Sequence, residues 1–447
     1  MEIGNIQLEL ISKAKKYLER NLNENINVYN SGFCYFCAFG LTPGYARLKL
    51  WNEGFKNILF TIKVLFKDII SISKLKNYCI TNNVEISEKY NNIIVSWAKK
   101  SDFLENGTYF DRYFKISSKD INYSLWFLIY EDEILPEKIN NNILIFTKSK
   151  KKFKYNFFYL FKYIAKNIIS SKFSLKKLFH KISWFTAFSS IVGDSIKNFI
   201  NNDTRTVIMP YEAQPFQNTI FKTTKKINKK IKTIGYVTSF PCGLPTNYIF
   251  RDGSPEELIV NGEDQRYFFV NYLNWNNNQI RVLPSTRFAK KSENMSGYIY
   301  LPIALNSTDI IIKSLENFFV KNKEKSISNL IIKNHPYATH SKIHLKIIKQ
   351  INELKLSYKS FFSNKKDNNR ISIFIGATGS IIEALERGVD VIHICDDPIF
   401  ESYSSVLWPS IKVTKIDNNT FNYQLLKKGN LIKFGEENKL FINSYLN

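Results

Sequence analysis

Three short stretches of this chain place an acid, a histidine or a run of small residues where a strand ends, and each could do chemistry. In LIIKNHPYATH an apolar strand runs into His335, and Pro336 stops it. A histidine there can donate to a phosphate, or protonate it as it leaves; it can equally be a loop histidine with no task. In FIGATGSIIEALERGVDVI a strand passes through a small-residue loop into a helix. Gly376 and Gly379 let the backbone approach a ligand closely. Thr378 and Ser380 are placed to cap the helix and bond phosphate oxygens, and the helix start offers free N–H groups and a positive dipole end. Glu383 lies one turn in, within reach of a ribose diol, and Gly388 ends the helix. The plain alternative is an ordinary connection with a serine cap. In VIMPYEAQPFQN, Glu212 closes a strand. A hydroxyl attacking a carbon centre needs a base to take its proton, and a carboxylate is the usual choice; the alternative is a glutamate that stabilises the start of the next helix.

The elements that must position these residues alternate. Apolar runs such as NNIIVSWAKK, NYSLWFLIYED, TRTVIMPYE, KTIGYVTSF, EELIVNG and RISIFIGATGS read as strands, and the periodic stretches between them read as helices. This predicts an α/β protein with two Rossmann-like, doubly wound domains facing a cleft, and ligands at the carboxyl ends of the strands. The 447 residues fit two domains, expected at 1–228 and 229–447, with KTIGYVTSF opening the second. VDVIHICDDP closes the strand series in this reading.

Charge narrows the partners. The formal net charge is +24, which attracts polyanions: nucleic acid, an anionic membrane face or acidic sugar nucleotides. Residues 148–193 contain no Asp or Glu and interleave lysines with Phe, Tyr, Leu and Ile, as a basic amphipathic insertion. Such a segment suits an anionic membrane interface, or a helix pair that buries its aromatics in the protein's own core. Arginine is scarce there and no nucleic-acid-binding motif is present, which argues against nucleic acid. Arg287 in LPSTRF follows a strand and could pair with a sugar carboxylate or a diphosphate, with Lys333 and Arg251 as further cations of this kind.

Five cysteines at irregular spacing imply no disulfide framework, and Cys34 and Cys37 lack the partners of a zinc site. No metal site is expected; Asp396 and Asp397 read as a loop start. The amino-terminal stretch reads as an amphipathic helix rather than a signal peptide, and no run is long and apolar enough to span a bilayer. The expectation is a cytoplasmic protein, either soluble or peripheral on the inner membrane face.

A strand ending in His-Pro, followed about forty residues later by the Ser/Thr loop and an EAL…G helix, resembles GT-B transferases that use CMP-activated sugars. These include polysialyltransferases, Kdo transferases and surface-carbohydrate biosynthesis proteins. PYEAQPFQN is similar to a Tyr-Glu-x-Gln-Pro-aromatic segment of the last group. The resemblance covers motifs across about residues 207–395. It implies transfer of an acidic sugar (Kdo, sialic acid or a related nonulosonic acid) from its CMP carrier to a cell-surface glycan acceptor, in capsule, lipopolysaccharide or O-antigen. In it His335 and Pro336 meet the departing nucleotide phosphate, Gly376, Thr378, Gly379 and Ser380 bind that phosphate, Glu383 binds the ribose and Glu212 is the general base. Gln214, Arg287 and Lys333 are assigned to substrate. No cofactor is required and a divalent metal is not expected. Polysialyltransferase-type enzymes place the base in an acidic pair before Gly; here the similar strings, GEDQR and RDGS, lie in the second half, and GEDQR reads as a helix start. The alternatives are the same fold with CDP-glycerol, CDP-ribitol or a UDP- or GDP-sugar, and a non-catalytic glycan-assembly or nucleic-acid-binding protein.

Overall fold

A computed structural model describes residues 2–23, 66, 68–81, 90–148, 156–170, 184–289, 294–303, 305, 308–322, 327–328, 330–335, 338, 341–358, 362–363, 371–435 and 445. Pro336, Cys34 and Cys37 lie outside them. Two predominantly parallel sheets organise the chain, as the alternation of elements predicts.

The first sheet contains β1 (Tyr78–Ile80), β2 (Asn92–Ala98), β3 (Ser124–Tyr130), β4 (Ile143–Lys148), β5 (Thr206–Pro210), β6 (Lys232–Tyr236), β7 (Glu257–Val260) and β8 (Ile280–Val282). Their order is β1-β4-β3-β2-β5-β6-β7-β8, and every pair except β1 with β4 is parallel. Strands β3 and β5 are almost wholly buried, as expected of parallel strands covered on both faces. The chain moves outward from β2 through β3 and β4, then returns to the other side of β2 with β5. That reversal opens a crevice at the carboxyl ends of β2 and β5.

The second sheet is built from β10 (Tyr298–Tyr300), β11 (Ile331–Lys333), β12 (Ile371–Ile375), β13 (Asp390–Ile394), β14 (Ile411–Lys415) and β15 (Thr420–Leu425). Its order is β11-β10-β12-β13-β15-β14. The first four strands are parallel, while β15 runs antiparallel to β13 and β14. Here too the order reverses, between β10 and β12. β9 (Ser285–Ala289), between the two sheets in sequence, pairs in parallel with Phe434–Gly435, which follows the second sheet.

Two expectations are corrected. KTIGYVTSF does not open the second sheet: β6 pairs in register with β5, and β7 and β8 follow it, so the first sheet runs to Val282 rather than ending near residue 228. Nor does VDVIHICDDP close the strand series, because the hairpin β14–β15 completes the second sheet. In the basic insertion, Trp184–Lys197 is a helix that buries Ala187, Phe188 and Val192 in the protein's own core. Helix Phe157–Ser170, by contrast, exposes Phe157, Phe158, Phe161 and Ile169.

The segments that follow the first-sheet strands interlock with the second unit. Trp408 stacks on Phe268 with centroids 5.0 Å apart, meets Phe240 at 5.0 Å, and donates from Nε1 to the Gly243 carbonyl at 3.2 Å. The buried Asp264, in helix Glu263–Tyr272, accepts from the backbone N–H (2.8 Å) and hydroxyl (2.7 Å) of Ser410. Gln7, from helix Ile3–Asn23, donates to the carbonyls of Ile399 (3.0 Å) and Ser402 (2.8 Å). Trp408 fills the centre of this junction, so Trp408→Ala should cost about 3–5 kcal/mol, read as a lower urea midpoint; a midpoint unchanged within error would show that the junction does not hold the units together.

Candidate functional site

Glu212 sits two residues past the end of β5, at the first reversal point. Its backbone is fixed from three sides. Its N–H donates to Gln217 Oε1 at 3.0 Å, its carbonyl accepts from Asn247 Nδ2 at 2.8 Å, and the next residue, Ala213, has φ +55°. A left-handed alanine is strained and persists only where its surroundings impose it. Much of that imposition comes from Arg251. This guanidinium is 4% exposed and donates to the carbonyls of Asn247 (2.6 Å), Ile249 (2.7 Å) and Ala213 (3.3 Å). Arg251 therefore holds the Glu212 loop, and the expectation that it faces a substrate is corrected.

The Glu212 carboxylate accepts from Gln214 Nε2 at 2.9 Å. Burial pushes its pKa up from the ordinary value; the Gln214 bond and the Arg287 charge pull it down, and Glu131 pushes it up again. Arg287, exposed on β9, forms no salt bridge among the described residues. Its charge reaches a second group. His335, two residues past β11, has its pKa lowered by burial first, then by His344 and by Arg287. The Arg287 charge thus bears on a carboxylate that follows a first-sheet strand and on an imidazole that follows a second-sheet strand.

The small-residue loop lies at the second reversal point. Gly376 takes φ +65°, and a side chain there would meet Pro302 Cγ at 3.0 Å. Its carbonyl accepts from His393 Nε2 at 2.8 Å, and His393 Nδ1 in turn accepts from the Tyr423 hydroxyl at 3.0 Å. Burial lowers the His393 pKa to about 4, so the ring is neutral and structural. Gly379 is needed for a reason other than phosphate approach: a side chain there would meet the Phe240 carbonyl at 2.8 Å. The Tyr403 hydroxyl, 3.2 Å from the Pro241 carbonyl and 3.4 Å from that of Thr378, ties the same two loops together.

The helix Ser380–Glu386 begins at Gly379, which has no side chain to cap it, and Ser380 is its first residue rather than its cap. Thr378 Oγ1 accepts from the Ser380 N–H at 3.3 Å. Glu383 pairs with Arg387 at 2.8 and 3.0 Å, one turn on. Gly388, at φ +75°, follows that helix as expected. Lys333 lies 5.5 and 5.7 Å from the ring centroids of Tyr298 and Tyr300. Among the described residues no group of three or more His, Cys, Asp or Glu is placed to hold a metal ion, and no helix is long and apolar enough to cross a membrane.

Sequence reasoning missed the neighbours of Glu212. Trp97 in β2 packs against Tyr113 (5.3 Å) and edge-on against Phe216 (6.0 Å). Tyr113 has its pKa raised by burial, with Glu212 and Glu131 among its charged neighbours. The buried Asp111 holds that turn by accepting from the N–H groups of Tyr113 (2.8 Å) and Phe114 (2.6 Å). Glu131 immediately follows β3. The rule that ligands gather at strand carboxyl ends points to it, as it does to Glu212.

No family model matches this chain, and no curated protein does. Two solved structures are similar in fold to it. A UDP-GlcNAc 2-epimerase from Neisseria meningitidis, bound to UDP-GlcNAc, is 10% identical over 68% of this chain and 83% of its own, with a TM-score of 0.34. A glycosyltransferase from Rickettsia africae is 12% identical over 70% and 86%, with a TM-score of 0.31. Likeness at that level carries no weight for activity, and the functional case rests on the geometry above.

His393 makes the loop's stability pH-dependent. Its pKa is depressed from 6.5 to about 4 in the folded protein, so its contribution is complete above pH 6.5 and lost as pH falls toward 4. The stability gap between the wild type and His393→Phe should shrink across that window in denaturant titrations; a constant gap would contradict the neutral, hydrogen-bonded ring.

Proposed function

We propose that the protein is a GT-B-type glycosyltransferase that moves an acidic sugar from a CMP carrier to a cell-surface glycan. The observation that carries the reading is the reach of the Arg287 charge to Glu212, at the reversal point of the first sheet, and to His335, past the edge strand β11 of the second. A base, a cation and a phosphate partner are what glycosyl transfer from a nucleotide requires.

Glu212 takes the proton of the acceptor hydroxyl as its oxygen attacks the anomeric carbon, and Gln214 orients the carboxylate. The bond to CMP breaks with its electron pair going to the phosphate. His335, neutral through its lowered pKa, donates a hydrogen bond to that phosphate, with the Thr378 and Ser380 hydroxyls beside it. Arg287 pairs with the carboxylate of the transferred sugar, Lys333 adds positive charge, and Glu383 reaches the ribose from its pair with Arg387. The phosphate charge is met by these cations, and the scheme routes no step through a metal. The exposed Phe157, Phe158 and Phe161, with Lys162 and Lys166 on the same helix, suit peripheral contact with an anionic membrane on the cytoplasmic side.

Calorimetry against CMP, CDP, UDP and GDP tests the donor class. Selective CMP binding, weakened in His335→Ala, is expected; preference for UDP or GDP would replace the donor, and silence for all four would end the transferase reading. In transfer assays Glu212→Gln should lower kcat about 10²–10⁴-fold. Because burial raises the Glu212 pKa above 4.5, the wild-type rate should fall on the acid side at a pH above that value, and the variant should lose this limb. A variant with the wild-type rate and profile would remove Glu212 from the chemistry.

A further inference from the structure

Beside Glu212 the first reversal point opens into a cavity of about 680 Å³, at the carboxyl ends of β2, β3 and β4. Its walls are aromatic: Tyr78, Trp97, Trp184, Phe188 and Phe216 line it. These rings brace one another. Trp184 stacks on Phe188 at 4.7 Å, and Phe188 meets Phe216 edge-on at 5.9 Å. Among the described residues its charged lining is Glu131, Asp132 and Glu133 against Lys148. In a chain of net charge +24, composition does not account for an acid-lined cavity. Gln214, which orients the Glu212 carboxylate, lines the same space, so an occupant lies next to the base.

We propose that this cavity is the acceptor subsite and that it takes an uncharged sugar ring. The inference rests on the transferase reading above. A pyranose offers an apolar C–H face to aromatic rings and hydroxyl donors to carboxylates, and the cavity supplies both kinds of surface in a volume suited to one or two rings. An acidic sugar would meet like charge on the loop after β3. A cationic ligand is disfavoured because part of the acid is already committed: Glu131 pairs with Arg112 (3.2 Å) and Lys99 (3.6 Å), and Asp132 accepts the Lys100 N–H at 2.7 Å. The two subsites therefore differ in sign: cations Arg287 and Lys333 on the donor side, carboxylates on the acceptor side. That difference keeps the acidic product end from re-entering as acceptor, so the enzyme adds a single acidic residue to a neutral one rather than polymerising acidic residues.

Saturation-transfer NMR with methyl β-glucopyranoside and its glucuronide, which differ only at C6, tests this on the full chain. The glucoside should give the stronger signal by about tenfold, the effect of one like-charge contact of modest strength. Trp97→Ala and Trp184→Ala should abolish the signal, and Glu133→Lys, on an exposed loop, should narrow the ratio without unfolding the protein. An equal or stronger glucuronide signal, no signal from either, or a glucoside signal that survives both tryptophan substitutions would overturn the proposal. Nucleotide calorimetry on the same variants separates the two claims. Glycoside binding without nucleotide binding leaves the cavity and removes the transferase reading; the reverse leaves the transferase and removes this subsite.

Discussion

One guanidinium lies within the electrostatic reach of groups from both halves of the molecule. Arg287, on the short strand that follows the first sheet, lowers the pKa of Glu212 from that sheet and of His335 from the other. Charges interact more strongly the less water lies between them. Burial is the largest influence on both groups, and it works in opposite directions: it favours the neutral carboxyl at Glu212 and the neutral imidazole at His335. Everything else in the fold has to keep these three side chains at their stations.

The fold supports their loops with other buried side chains. Arg251, buried without a carboxylate, spends its donors on three carbonyls around the Glu212 loop and holds Ala213 in a left-handed conformation. His393 does the same for Gly376 on the other side. Between them the Phe240–Gly243 segment packs against Gly379, Tyr403 and Trp408 so closely that a side chain at Gly379 or Gly243 would collide with backbone. Two loops that touch in this way leave little freedom to misplace either one.

The rhythm of strands and helices was legible from hydrophobic patterning, and with it the stations of Glu212, His335 and the Gly376 loop at strand ends. Which sheet a strand joins was not. KTIGYVTSF has the same local pattern whether it opens a sheet or continues one, and only its register with β5 places it. Arg251 lies in RDGS, and its buried guanidinium meets carbonyls 2, 4 and 38 positions away, a set that no local pattern shows. Gly379 was read as space for a phosphate, and the Phe240 carbonyl, which a side chain there would meet, is a further demand for glycine that the local sequence does not show. Glu131, Trp97 and Tyr113 were visible as residues, yet their convergence on Glu212 depends on the sheet order, which no local pattern encodes.

The most direct test of this shared field is the titration of His335, followed by NMR of its ring protons and assigned with His335→Asn among the five histidines of the chain. In the wild type its pKa should lie below 6.5, and in Arg287→Gln it should move upward toward that value as the neighbouring positive charge is removed. A His335 titration that is the same in both proteins would mean that Arg287 does not join the two halves of the site, and the account of one composite centre would fail.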